Sequence, residues 1–189
     1  MLNLPEVAQG KWSFEQLFVN GERRFRPRLP KDTYYRVAKE LPPSEGAKGF
    51  DRFQYREGDV RPDWHNSDDV NVLCFQTWTM ARMRLGKVDT AKRILHFTQG
   101  MGSTAGYFAM RDGQRYILEN VYEALERPGE WYLDRKSGDL TYIPMPDETP
   151  DKAVVIAPRL ERLMALKGDA ALGQWVEYLT FRGLTFEHT

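Results

Sequence analysis

The sequence predicts a mainly β chain, with a β-sandwich or barrel-like domain at residues 1–150 and the first strands of a solenoid at 151–189. Aromatic and β-branched residues recur in short runs separated by glycine, proline, asparagine and aspartate, which is typical of antiparallel strands and turns. Helical spacing is confined to one short segment. With 41% hydrophobic and 13% aromatic residues, the chain has enough apolar surface to build a packed core.

Two hairpins can be assigned from their turn residues. The segment 16–19 runs into Asn20-Gly21, a dipeptide that tolerates left-handed backbone, and 22–26 would return as the second strand. A second hairpin is predicted over 130–143, where Gly138 can take the positive φ of the turn.

A meander of three strands is predicted between the two hairpins. Its strands are 72–79, 82–85 and 93–97, and the second alternates charged and apolar residues, so one of its faces should be in water. The prolines and glycines of residues 30–68 indicate an irregular excursion with short strands, such as 51–55.

One short helix is predicted at about 115–126. Ile117, Val121 and Leu125 recur at helical spacing, and Pro128-Gly129 ends the run.

The last forty residues differ in character from the rest. An apolar run at 153–157 is followed by short strands at 176–181 and 184–189, which are separated by a bend at Gly183. Such bends suit the corners of a solenoid coil better than the reversals of a meander. Because an apolar strand at the terminus would leave an unpaired edge, we expect the chain to be part of a longer polypeptide.

Charge and composition exclude several classes of function. Lysine and arginine together number 27, and so do aspartate and glutamate. The net charge is therefore zero, so the chain has no overall positive charge that would attract nucleic acid. No apolar stretch is long enough to predict a membrane span. The single cysteine, Cys74, predicts neither a disulfide nor a thiolate metal site, and it should be an inert buried thiol.

Charge is nevertheless distributed unevenly along the chain. Residues 22–36, the basic arm, hold six basic against two acidic side chains, whereas residues 119–151, the acidic segment, hold nine acidic against three basic ones. Pairing between the two is the favoured interpretation. The alternative is that Arg26 and Arg28, on one side of an extended strand, grip a carboxylate or sugar hydroxyls.

No cofactor or metal is predicted. The sequence Gly100-Met101-Gly102-Ser103-Thr104-Ala105 resembles a dinucleotide fingerprint, but no helix start follows it, so it is interpreted as a plain loop. The oxygen-rich segment 63–69 around His65 does not match an EF-hand, and a solvated turn is favoured.

Sugar binding would use aromatic platforms and acids. The five tryptophans are Trp12, Trp64, Trp78, Trp131 and Trp175; most are expected in the core, and Trp64, in a polar loop, is predicted to be exposed. Sequence selects no pair of catalytic carboxylates. Glu187 next to His188 is the one acid singled out, with an ordinary surface glutamate as its alternative.

Several of these segments together resemble a known family. They are 16–21, Arg24, 26–30, 119–125, Pro-Gly-Glu-Trp-Tyr-Leu-Asp-Arg at 128–135, the Gly138 turn with Leu140, Tyr142 and Pro144, and 181–189. The chain is similar to bacterial right-handed parallel β-helix proteins of the glycoside hydrolase family 141 type, which have a pectin-lyase-like fold. The resemblance extends over nearly all 189 residues.

The resemblance implies a place for this chain within a larger enzyme. It would be a β-rich insertion domain with the start of the β-helix, an accessory, non-catalytic part of a polysaccharide-degrading protein that is periplasmic or secreted. Catalytic acids would lie beyond Thr189 on the rest of the β-helix, and Arg28 or Trp64 would contact substrate. A non-enzymatic module for adhesion or protein interaction, capping a β-helix, is the alternative.

Overall fold

The computed structural model describes residues 1–188 of the chain. Its strands are β1 Leu2–Asn3, β2 Leu17–Val19, β3 Glu22–Arg24, β4 Arg28–Leu29, β5 Tyr35–Arg36, β6 Lys39–Glu40, β7 Arg52–Gln54, β8 Asn71–Phe75, β9 Met80–Asp89, β10 Ile94–Phe97, β11 Arg115–Glu119, β12 Trp131–Leu133, β13 Asp139–Tyr142 and β14 Val155–Ile156. The helix α1, Pro5–Ala8, begins with a proline, whose missing N–H is no loss in a first turn. Short 3-10 helices lie at Ser67–Asp69, Gly106–Phe108, Tyr122–Ala124, Pro150–Lys152 and Ala170–Leu172.

Within the described residues the strands form three sheets. The large one has the order β4-β11-β8-β9-β10-β7-β6, with β5 also pairing with β11, and the small ones are β1-β13-β12 and β14-β2-β3. Every paired strand in 1–188 is antiparallel to its neighbour. The mainly β prediction is therefore confirmed.

Both predicted hairpins are confirmed. Val19 pairs with Glu22 across Asn20 and Gly21, whose φ angles of 53° and 83° are those of a two-residue turn that follows the strand twist. In the second hairpin, Gly138 takes a φ of 80° before β13.

The predicted meander is confirmed as β8, β9 and β10, but its bounds differ, because residues 76–79 of the first predicted strand form the turn before β9 and β9 extends to Asp89. Met83 and Leu85 of β9 are buried, whereas Arg82 before them is exposed and Arg84 between them is half-buried. This alternation places one face of the sheet on the core and the other in water.

The predicted helix at about 115–126 is wrong. Residues 115–119 form β11, a central strand between β8 and β4, and 122–124 form a single 3-10 turn. Tyr116, Ile117 and Leu118 are all buried. Tyr116 and Leu118 belong to the larger core, whereas Ile117 points to the other face, where charged side chains cover it. A continuous apolar run of this kind cannot be told from a buried helix by its spacing.

The described part of the chain has two hydrophobic cores. The larger lies on the large sheet, and its fully buried members include Phe53, Leu85, Leu95, Tyr116 and Leu118. The smaller one connects the two small sheets and contains Val7, Phe14, Leu17, Val19, Trp131, Leu133 and Leu140.

The C-terminal segment departs from the sequence prediction. Val155–Ile156 pairs antiparallel with β2, and the segments 176–181 and 184–188 are not strands. Strands of a parallel β-helix are hydrogen-bonded to the coils on either side, and no such coil lies within 1–188. Residue 189 of the last predicted strand lies outside the described residues.

Candidate functional site

A groove of about 840 Å³ lies where the chain between α1 and β2 meets the second hairpin. Its walls come from four segments, namely 7–16, Asp68 and Asp69, the turn residues Arg135 and Lys136, and 158–161. The walls combine the end of α1 and the 3-10 helix Ser67–Asp69 with loop and turn residues, so most of them lie where helices and strands end.

Aromatic rings form one side of the groove. Trp12 is half-buried, and its ring centre lies 5.0 Å from that of Phe14, which in turn stacks on the buried Trp131 at 5.4 Å. The guanidinium of Arg159 lies 5.4 Å from the Trp12 ring centre. Nε1 of Trp12 is buried and has no hydrogen-bond partner within residues 1–188.

Two ion pairs also line the groove. Nε of Arg135 donates to Oδ1 of Asp69 at 2.5 Å, and Nζ of Lys136 donates to Oδ1 of Asp68 at 3.0 Å. The hydrogen bond from Lys136 lowers the pKa of Asp68. The second oxygen of Asp69, Oδ2, is buried and has no hydrogen-bond partner in the described chain.

A layer of alternating charges supports the groove from beneath. The buried guanidinium of Arg26 lies 3.6 Å from Glu119 and 3.9 Å from Glu15, and Arg82 bridges the same two carboxylates at 2.8 and 2.6 Å. Burial lowers the pKa of Arg26, with the two carboxylates opposing that shift. Burial alone would raise the pKa of Glu15, but Arg26 and Arg82 outweigh it and the pKa is lowered.

This layer also encloses a cavity of about 20 Å³, next to Arg26, Asp69, Asn71 and Asn120. That is enough room for one water molecule. Nη1 of Arg26 is buried without a hydrogen-bond partner among residues 1–188, so a water here would satisfy a charged donor.

The predicted pairing of the basic arm with the acidic segment is confirmed. Arg24 lies 2.5 Å from Glu148, Arg26 pairs with Glu119, and Lys31 lies 2.6 Å from Glu130. The basic partners lie in β3 and on either side of β4, and the acidic partners lie in β11, just before β12 and after β13. The arm therefore stabilises the fold from within, which is the favoured of the two sequence interpretations.

The residues predicted to contact substrate lie in different surroundings. Arg28 donates to the carbonyl oxygens of Pro30 and Thr33, so its guanidinium is engaged within its own loop. Glu187 is exposed, and the ring of His188 lies edge-on to Phe18 at 4.9 Å. Among the residues described, no hydrogen bond or ion pair joins Arg26 or Arg28 to these two.

The expectation that Trp64 is exposed is wrong. Its side chain joins the larger core and the residue is 6% exposed, while its neighbours Asp63 and His65 face solvent. An indole buries more apolar surface than a loop's polar residues can, which turns it inward. The exposed tryptophans are instead Trp78 and Trp175.

His65 binds protein groups. Its Nε2 lies 2.7 Å from Oδ2 of Asp134, and its backbone N–H donates to Glu123. Burial would raise the pKa of Asp134, but the hydrogen bonds from His65 and from backbone N–H groups lower it overall. Within 1–188 no cluster of three or more histidine, cysteine, aspartate or glutamate side chains has metal-binding geometry.

Sequence reasoning missed the charged side of the groove. Arg135 and Lys136 were counted within the acidic segment, and Asp68 and Asp69 within a solvated turn. The opposite charges of these two dipeptides were a signal. Their 66-residue separation meant that only the fold could bring them together.

No protein-family model and no curated protein matches this chain. The fold is similar to that of a solved protein described as a glycoside hydrolase, with a TM-score of 0.64 and 22% sequence identity. The likeness covers 83% of this chain and 28% of that protein. At this identity the two proteins share a fold. Of the helices described here, none is long and apolar enough to cross a membrane.

Proposed function

We propose that the chain is an accessory, non-catalytic domain of a polysaccharide-degrading β-helix protein, and that its groove contacts the glycan. The observation that carries the proposal is the groove itself, which is lined both by an aromatic ring and by the exposed ion pair of Lys136 with Asp68. Sugar binding uses this combination, because a pyranose presents an apolar C–H face and a rim of hydroxyls. The shared fold with part of a glycoside hydrolase supports the choice of ligand.

The groove residues would have distinct roles. Trp12 would stack on a sugar ring, while Lys136 and the carboxylate of Asp68 would exchange hydrogen bonds with hydroxyls. Arg26 would act from beneath by holding Glu15 and Glu119 in place. Because Trp64 is buried, it has no part in this proposal.

The same proposal includes a specific family and specific domain boundaries. We infer that residues 1–150 are the insertion domain and that 151–189 begin a right-handed parallel β-helix of the glycoside hydrolase family 141 type. Residues 160–186 support this, because they expose many large apolar side chains that further coils would cover; they include Leu160, Leu166, Trp175, Leu179 and Phe186. Glu187 and His188 would then lie where the β-helix meets this domain.

The same apolar segment favours the second candidate function. A non-enzymatic module for adhesion or protein interaction would also expose such side chains for a partner to cover. The two proposals differ in whether the groove binds sugar.

A binding screen of the full chain against soluble polysaccharides tests the proposal. We expect retention in affinity electrophoresis by at least one polysaccharide, and weaker retention for Trp12→Ala and for Lys136→Ala. Lys136→Ala should fold normally, because its ion pair with Asp68 is exposed. Trp175→Ala is the control, since it removes an exposed tryptophan outside the groove. Retention unchanged in both groove variants would overturn the assignment of the groove.

A further inference from the structure

A pair of stacked aromatic rings is exposed at the turn between β8 and β9. The ring centres of Trp78 and Tyr107 lie 5.4 Å apart with an interplanar angle of 30°. Trp78 is 71% exposed and Tyr107 is 45% exposed. These rings, which we term the aromatic platform, lie outside the groove described above.

The backbone under the platform is tightly held. The N–H of Gln76 donates to the carbonyl of Thr79 at 2.9 Å, which closes a four-residue turn with Trp78 at its tip. Within this turn the hydroxyl of Thr79 donates to Oε1 of Gln76 at 3.0 Å.

Gln76 also connects the turn to the segment that carries Tyr107. Its side-chain Nε2 donates to the carbonyl of Phe108 at 3.0 Å, and Gln76 itself is buried. The two segments that carry the rings are thus joined through one buried residue, so a ligand that stacks on the rings meets a preorganised surface.

The size of the platform decides which class of ligand it fits. At these exposures the two rings present about 300 Å² of surface. A stable protein interface buries about 800 Å² per partner, so the platform is too small to hold a second copy of the chain or another folded protein. One or two sugar rings fit an area of this size, and the exposed residue Thr77 precedes Trp78 in the same turn.

We propose that the Trp78–Tyr107 platform is a second glycan-binding site, which stacks on the C–H face of a pyranose ring. Strand β8, which spans about 17 Å, separates it from Asp69 of the groove. The two sites would therefore contact different sugars of one long polysaccharide, or two chains. The choice of a sugar as ligand rests on the proposed function, whereas the position of the site rests on the rings.

The test repeats the polysaccharide screen with variants of the platform. Trp78→Ala should weaken the affinity of the bound polysaccharide at least tenfold, and Tyr107→Ala should weaken it less, because its ring is more covered. Trp175→Ala, which removes a tryptophan of 65% exposure elsewhere, should leave affinity unchanged. Trp78→Phe keeps a stacking ring and should restore most of the affinity.

The outcomes separate this inference from the proposed function. Normal binding by Trp78→Ala together with lost binding by Lys136→Ala would overturn the platform and leave the groove in place. The reverse result would support the platform and overturn the groove. If the wild-type chain binds no polysaccharide, or if Trp78→Ala changes only its oligomeric state in gel filtration, the platform proposal is overturned.

Discussion

Lys31 and Glu130 form a buried ion pair in which Nζ lies 2.6 Å from Oε1. The other oxygen of Glu130 accepts the backbone N–H groups of Glu126 and Arg127, and Lys31 also donates to the carbonyl of Ala124. This pair therefore connects the basic arm to the acidic segment at the point where the chain turns into β12. The charge along the sequence is uneven because opposite charges in these two segments pair with each other in the folded chain.

Removing the lysine should destabilise the fold strongly. Lys31→Met leaves the carboxylate of Glu130 buried without its cation, and we expect the free energy of unfolding to fall by about 3–5 kcal/mol. Urea denaturation followed by circular dichroism measures it. Asp32→Asn is the control, because it breaks the exposed pair with Arg127 and should hardly shift the midpoint. Equal midpoints for the two variants would contradict the structural role of the pair.

Stability should depend on the ionisation of Asp59. Burial raises the pKa of this carboxyl from its ordinary 3.8, although the Tyr116 hydroxyl, which donates to Oδ2 at 2.6 Å, opposes the shift. The folded chain therefore holds a proton that the unfolded chain has lost, and stability falls as pH rises from about 3.8 through the raised pKa.

The variant Asp59→Asn tests this pH dependence. It keeps an oxygen for Tyr116 but cannot ionise, so its stability relative to wild type should rise with pH across that window and then level off. Urea midpoints at several pH values between 4 and 7 measure the difference. Asp147→Asn, which removes an exposed carboxyl, should give a profile parallel to wild type. A parallel profile for Asp59→Asn as well would contradict the prediction.

Replacing Gly138 by alanine should destabilise the fold more than the same replacement at Gly58. Both have strongly positive φ angles, 80° and 87°, but only at Gly138 would an added Cβ collide with the backbone, at the carbonyl of Leu4. Gly58→Ala should cost about 1 kcal/mol of stability from the left-handed backbone alone. We expect Gly138→Ala to cost at least about 1 kcal/mol more, because β1 must move. Thermal unfolding of the two variants compares them, and equal losses would exclude the collision.

The thiol of Cys74 should be inert in the folded chain. Burial raises its pKa, and Sγ lies 3.6 Å from Sδ of Met110 inside the larger core. Ellman's reagent should react with it only in denaturant. In a Cys74→Ala background, Thr90→Cys places a thiol in an exposed turn and should react at once. Rapid reaction of native wild-type protein would show that the core opens around Cys74.

Local patterns predicted local structure well. The hairpin at Asn20-Gly21, the meander through β8, β9 and β10, and the Gly138 turn were all readable, because each depends on side chains and backbone angles within a few residues. Prediction of β11 failed because its apolar run, buried on both faces, carries no period that separates a strand from a helix. The predicted exposure of Trp64 was wrong because a tryptophan in a polar loop can turn inward. The local sequence does not say where the core lies.

By itself, the sequence determined that the chain is mainly β, where its hairpins turn, and that a basic arm and an acidic segment would pair. Only the tertiary structure decided which charges meet, since Arg135 approaches Asp69, and Lys31 approaches Glu130, across separations of 66 and 99 residues. It also decided which aromatic rings are exposed, since Trp64 is buried in the core and Trp78 stacks on Tyr107 at the surface. The reason is that burial and long-range contact depend on how sheets pack, which no local pattern encodes.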